Sequence, residues 1–181
     1  PFTVAWSSTE GYPGIPFVEK GSGPGSIEIS SNSLIGNDTV FIDKPFHYEY
    51  SPPRRFSAHL AYKVVVEGNA KWNIQVLIKQ VDGTILVLWT SKTQTDSVDW
   101  SIPKPPIDTN DALFRFRLFQ DILADASKVF PVKGDYSLII RVSNSIVNGS
   151  VKTYIDDVNG RIWGEAFGLL GTDNYGRDIF T

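Results

Sequence analysis

The sequence predicts a mainly β protein, an antiparallel β-sandwich of jelly-roll or Greek-key type, with one inserted helix near residues 110–127. Apolar residues recur at every second position along most of the chain from Ser26 onward, the period of strands with one buried face. Gly, Asn, Asp and Pro cut these runs into about nine short strands at sandwich-like spacing. One stretch after Ile107 changes to spacings of three and four, which is helical. At 181 residues the chain suits one domain and can bury roughly 70% of its unfolded surface, so it needs no covalent staple.

Residues 1–25 read as an extended lead-in, because Gly11, Pro13, Gly14, Pro16, Gly21, Gly23, Pro24 and Gly25 exclude a helix. The run from Gly21 to Gly25 follows no strand and lacks the Lys-Ser/Thr pair of a phosphate loop. Residues 26–168 make up the sandwich. Ile27 and Ile29, Val40 and Ile42, then Phe46, Tyr48 and Tyr50 mark short strands, with turns at Gly36-Asn37-Asp38 and Lys44-Pro45. The strongest strands follow the break at Pro52-Pro53-Arg54-Arg55. Phe56, Ala58, Leu60, Tyr62, Val64 and Val66 share one face, Gly68-Asn69 turns the chain, and Trp72, Ile74, Val76 and Ile78 share the next. Asp82-Gly83 is a hairpin signal into Thr84–Thr90, which is apolar on both faces and therefore central or covered.

Residues 97–107 hold a short strand and a proline-rich crossover. Asp108 or Thr109 can cap the helix, whose stripe is Ala112, Phe116, Phe119, Leu123, Ala126 and Phe130. A strand competes, since Phe114, Phe116 and Leu118 alternate with Arg115 and Arg117, but that period does not survive residues 122–126. Lys133-Gly134-Asp135 turns into a strand through Tyr136, Leu138, Ile140 and Val142. Tyr136 resembles the tyrosine corner of β-sandwiches; a plain core-facing Tyr is the other reading. Asn148-Gly149 is a hairpin turn into Val151–Ile155, Asp156-Asp157 closes that strand, and Arg161–Trp163 forms a last short one.

Composition excludes several classes of function. A net charge of −3 is too small and of the wrong sign for nucleic acid. Without cysteine there are no thiol nucleophiles and no disulfides, and the redox compartment stays open. No run of eighteen apolar residues is present to cross a bilayer as a helix, and the first six residues lack the regions of a signal peptide. The absence of methionine implies a processed or excised piece. His47 and His59 are the only histidines and fall on solvent-facing strand positions, and no nucleophile elbow accompanies them. No catalytic residue is assigned, and the chain is expected not to be an enzyme.

No cofactor or metal is expected either. Two histidines without cysteine make no structural zinc site. Asp156-Asp157 with Asn159, and Asp108 with Asn110 and Asp111, could offer oxygen ligands to calcium. Both lack the helix-loop-helix calcium spacing and suit turns and caps. Trp72 and Trp89 read as core residues. Trp6, Trp100 and Trp163 sit near turns or chain ends, where sugar-binding modules could place stacking platforms; burial beneath loops is the alternative. Of these, Trp100 and Trp163 are the candidates for ligand stacking. Asn37-Asp38-Thr39 and Asn148-Gly149-Ser150 have the form of glycosylation acceptors.

Residues 169–181 stand apart. Gly171, Thr172, Asp173, Gly176, Arg177 and Asp178 spell G-T-D-x-x-G-R-D, with six fixed positions in eight. That string resembles the signature of the second membrane-spanning permease subunit of dipeptide/oligopeptide (and nickel) ABC importers. Gly168-Leu169 stands where His-Pro often precedes the string. In that family the signature lies outside the cytoplasm, just before the second transmembrane helix. The resemblance implies an extracytoplasmic domain at the cell membrane, serving peptide import without chemistry of its own. It implies a partner permease subunit, an extracytoplasmic substrate-binding protein and, only through the full-length protein, cytoplasmic ATPase subunits. The string itself suits a structural turn, with Arg177 and Asp178 able to pair, or contact with a partner or passing substrate. Two other classes compete: a carbohydrate-binding β-sandwich module of a secreted or surface protein, and a hydrolase built on a sandwich.

Overall fold

The computed structural model describes residues 2–12, 25–50 and 52–163. Among the described residues seven strands form one antiparallel sheet: β1 (Phe2–Ser7), β2 (Ser26–Tyr48), β3 (Arg55–Lys79), β4 (Ile85–Thr90), β5 (Val98–Ser101), β6 (Ile107–Asp108) and β7 (Gly134–Trp163). The order is β1-β2-β7-β3-β4, with β5 and β6 also paired to β3. β2, β3 and β7 run for 23, 25 and 30 residues, far beyond the usual five or six or so.

These long strands cannot be straight. At about 3.3 Å per residue Tyr62 and Trp72 would stand roughly 33 Å apart, yet their ring centroids are 6.2 Å apart. β3 therefore doubles back. β7 does the same, because Leu138 and Ile162 line one cleft together with Phe56 and Ile78. The sheet folds over into two facing layers. Layer A contains β1, residues 26–33 of β2, 55–67 of β3, 150–163 of β7, and β5 and β6. Layer B contains residues 36–48 of β2, 70–79 of β3, 134–147 of β7, and β4. Across the gap, Asn144 of layer B donates to the Ser31 hydroxyl of layer A at 3.1 Å.

The corner is made by glycine. Gly68 is the register partner of Gly149, and Gly68 takes φ +78 beside Asn148 at φ +65. A Cβ on Gly68 would run into the Asn148 carbonyl and lie 2.9 Å from the Gly149 Cα, while one on Gly149 would meet the Glu67 carbonyl. The two backbones touch where side chains would otherwise stand.

Between the layers one core joins Ile29, Phe56, Leu60, Val64, Val151 and Ile155 of layer A to Trp72, Ile74, Ile78, Ile140 and Val142 of layer B. Trp72 and Trp89 are buried, as their strand positions predict. Tyr136 donates its hydroxyl to the Val132 carbonyl at 2.5 Å, the backward bond of a tyrosine corner. The Asp82-Gly83 hairpin also forms, with Gly83 at φ +87 and Gln80 N–H bonded to Thr84 O at 2.8 Å.

Several expectations are corrected. Gly36-Asn37-Asp38, Gly68-Asn69 and Asn148-Gly149 lie inside β2, β3 and β7. They bend continuous strands because all three strands cross the same corner line. The strand expected to close at Asp156-Asp157 continues through it, with Asp157 at φ +50. In the expected lead-in, residues 2–7 instead form β1 and pair with β2; residues 13–24 lie outside the described residues.

The helix is shorter than 110–127. α1 spans Ala112–Phe119 and a single 3₁₀ turn covers Ala126–Lys128. Asp111, not Asp108 or Thr109, caps α1, and Gln120 ends it in the left-handed region. Asp121 then accepts from Leu123 N–H, and Asp125 caps the 3₁₀ turn. These local bonds compete with helix continuation. The predicted stripe holds only in part: Ala126 and Phe130 are buried, but Phe116 and Leu123 are 52% and 86% exposed, while Phe114, off that stripe, is 0% exposed. Among the described residues no helix is long and apolar enough to cross a membrane.

Candidate functional site

The outward face of layer A brings together the residues with most to offer a ligand. Phe56 and Ala58 are buried, so alternation turns Arg55, Ser57 and His59 outward. On β7, Gly160 and Ile162 line the interior cleft, so Asn159, Arg161 and Trp163 face out. The register pairs Arg55 with Trp163, Ser57 with Arg161 and His59 with Asn159, giving two parallel rows on one surface. A bulge follows: the next pairing after His59–Asn159 is Ala61–Asp156, and Asp157 sits in it at positive φ. Bulges re-aim side chains out of the regular ladder.

Trp163 closes one end of the strip. The Arg55 guanidinium lies 4.3 Å above its ring, a cation–π contact. Asp108 on β6 holds Arg55 with two bonds, Nη2 to Oδ2 at 2.7 Å and Nε to Oδ1 at 3.2 Å, and also accepts from Asn110 N–H. Trp100 marks the other end. Tyr12 packs against it with centroids 5.8 Å apart and planes tilted by 59°, and Tyr12 N–H donates to Asp156 Oδ2 at 2.8 Å. Residues 10–12 thus cross the outside of layer A, held also by the Glu10–Lys63 pair at 2.8 Å. Trp163 pairs opposite Arg55, and Ser101, next to Trp100, pairs with Tyr62. The two indoles are therefore roughly 23 Å apart along β3.

Electrostatics change along the strip. Burial pushes the His59 imidazole below its usual value, nearby Asp157 opposes this, and Arg161 reinforces it. Burial and neighbouring Asp156 push the Asp157 carboxyl up. The surface can offer aromatic faces at two ends and hydrogen-bonding groups between them, a pattern suited to a long polar ligand.

Trp100 and Trp163, singled out in the sequence, are both half-buried, whereas Trp6 is 66% exposed. The structure places the two candidates on the same face of the same layer. His47 is exposed as expected and bonds to Asp135 Oδ1 at 2.6 Å. His59 holds the outward strand position expected for it but is half-buried beside the bulge. The calcium runs are engaged otherwise: Asp108 in the Arg55 pair, Asp111 in the helix cap and Asp156 with Tyr12. Among the described residues no group of three or more metal-ligating side chains is placed to hold an ion. Asn37 and Asn148, of the two glycosylation triplets, are exposed. Gly171, Thr172, Asp173, Gly176, Arg177 and Asp178 lie outside the described residues. Sequence reasoning missed Arg55, Tyr12 and Arg161. Alternation against Phe56 could have turned Arg55 outward, but only the register of β3 on β7 sets it beneath Trp163.

No family model and no curated protein matches this chain. Among solved structures, carbohydrate-binding modules of promiscuous specificity from the β-sandwich superfamily share 13% identity over 88% of this chain and 56% of theirs, with a TM-score of 0.39. The enzymatically active domain of tailspike protein 4 of bacteriophage CBA120 shares 13% identity over 89% of this chain and 19% of its own, with a TM-score of 0.35. This chain thus spans less than two thirds of either. At these scores the likeness carries no argument about what this chain binds or does.

Proposed function

We propose that this chain is a non-catalytic binding domain that takes a carbohydrate chain along the outward strip of layer A. One observation carries the reading: Trp100 and Trp163 stand on one face with His59, Asn159 and Arg161 between them. Tyr12 and Arg55 hold the two rings in place before any ligand arrives, which lowers the ordering cost of binding. A glycan array with the wild-type protein and the Trp100→Ala and Trp163→Ala variants tests it. Binding of at least one oligosaccharide is expected, weakened tenfold or more in each variant, with the bound glycan recovered intact. Absence of any glycan signal, or a signal indifferent to both substitutions, overturns the carbohydrate reading; cleavage of the glycan overturns the non-catalytic one.

A second reading rests on Gly171, Thr172, Asp173, Gly176, Arg177 and Asp178. Their resemblance to the importer signature supports an extracytoplasmic domain of an ABC permease subunit for peptide import. Such a domain would meet a substrate-binding protein and a partner permease subunit. The natural reading frame after Thr181 is then expected to encode roughly twenty consecutive apolar residues within a short distance, as a membrane span requires. A frame without them removes this reading and leaves the first untouched. The two are compatible, since a domain held outside a membrane can also bind sugar.

A further inference from the structure

A cleft of about 240 Å³ opens between the layers. It lies on the inward side of layer A, opposite the strip, and is independent of both functional readings. Phe56 and Ile162 of layer A and Phe46, Ile78 and Leu138 of layer B line it. Interiors are normally packed with few voids larger than a water molecule, so a cleft of this size departs from the rest of the core.

Lys44 completes the lining, and its register explains why that is unusual. Val40, Ile42, Lys44, Phe46 and Tyr48 alternate along β2, and Lys44 pairs with Leu138 between the Ile42–Ile140 and Phe46–Tyr136 pairs. Val40, Tyr48, Leu138, Ile140 and Tyr136 are all buried. A lysine thus occupies an inward position in an otherwise apolar series, with an exposed side chain at the cleft. Among the described residues no carboxylate pairs with it. An apolar slot with one cation at its rim complements an apolar body bearing one negative charge.

We propose that the cleft binds a small amphipathic carboxylate, with its hydrocarbon part between the layers and its carboxylate on the Lys44 ammonium. The volume lies below the roughly 300–1,000 Å³ of drug-sized sites and so suits a short ligand. Two sources share this chemistry: a free medium-chain fatty acid and the apolar C-terminal residue of a peptide.

Calorimetric titration of the 181-residue protein with octanoate, 1-octanol, acetyl-Leu-Leu acid and acetyl-Leu-Leu amide tests the proposal. Saturable one-site binding of at least one of the two acids is expected, and its source follows from which acid binds. Lys44→Met is expected to weaken the acid tenfold or more while leaving the octanol response unchanged. Gly160→Leu is expected to abolish binding of acid and alcohol alike by filling the cleft. The backbone there accepts a side chain, since a Cβ at Gly160 meets nothing nearer than Phe56 at 3.8 Å, and Gly160→Val replaces Gly160→Leu if the latter melts early. Lys44→Gln replaces Lys44→Met if the latter melts early. Non-saturable responses to both acids, or equal acid affinity in the wild type and the Lys44 variant, overturn the proposal.

Discussion

β3 and β7 run side by side through both layers, yet their two outward faces have little in common. In layer B the outward positions include Asn73, Gln75, Leu77 and Lys79 on β3 and Ser137, Ile139, Arg141 and Ser143 on β7, paired in an unbroken ladder from Ala70 to Lys79. Several of their polar groups bond to one another or to neighbours: Arg141 bonds to Gln75, Thr39 meets Ser143, and Asn73 bonds to Ser91 and Thr90. In layer A the same two strands carry Trp163, Arg161, Asn159, Arg55 and His59, and a bulge interrupts the ladder after His59. The unbroken ladder of layer B thus carries a mixed surface, with Phe41 59% exposed opposite Arg141. The face of layer A differs by its aromatic ends and by the bulge that interrupts its ladder.

The largest expected effect strikes what the two faces share. Gly68→Ala forces a side chain into the left-handed region and onto the Asn148 carbonyl. Strain of this kind costs about 3 kcal/mol, read as a lower urea midpoint. Because both layers hang from that corner, the loss should appear equally in the fluorescence of the buried tryptophans and in far-UV dichroism. If the two signals separate, the layers unfold independently, and the comparison becomes one between two domains.

A smaller effect should distinguish the faces. Arg55→Lys removes the two-point hold on Asp108 and the flat contact over Trp163, which an ammonium cannot reproduce. Arg55 is 40% exposed, so the stability loss should stay within about 1 kcal/mol. Glycan binding should nevertheless fall severalfold, because Trp163 loses its support. Gln75→Ala, at the layer B position contacting Arg141, should leave that binding unchanged. Equal effects of the two substitutions on binding would mean that the face of layer A is not special.

How much of this was legible depended on whether the signal was local. Alternation from Phe56 to Val64 and from Trp72 to Ile78 identifies strands and their buried faces, since each side chain reports its own environment. Asn148-Gly149 and Gly68-Asn69 mislead because a corner in a continuous strand and a two-residue hairpin both need positive φ; only the facing strand distinguishes them. The helix misleads for a related reason. Phe114 and Phe116 are equally apolar, and the choice between them is made by the layers beneath, not by spacing. Trp100 and Trp163 are plausible ligand residues individually, but more than sixty positions separate them in sequence. Their shared face follows from the pairing of β3 with both β5 and β7.

The smallest effect uses the two histidines, one on each outward face. In layer B the hydrogen bond to Asp135 raises the His47 pKa, with help from the charges of Asp135 and Glu49. Its stabilisation is therefore fully present below the ordinary imidazole value of 6.5 and is lost as pH rises through the raised folded value. In layer A, burial lowers the His59 pKa, so the unfolded chain takes up that proton first. His59 consequently costs stability as pH falls from 6.5 toward its depressed folded value. The two contributions have opposite signs and change with pH on opposite sides of 6.5. His47→Gln should abolish a gain in the urea midpoint that the wild type shows as pH falls toward 6.5, and His59→Gln should flatten the wild-type fall below 6.5. Identical pH profiles in both variants would mean that the two faces hold their imidazoles alike, against the pairing of one with Asp135 and the burial of the other.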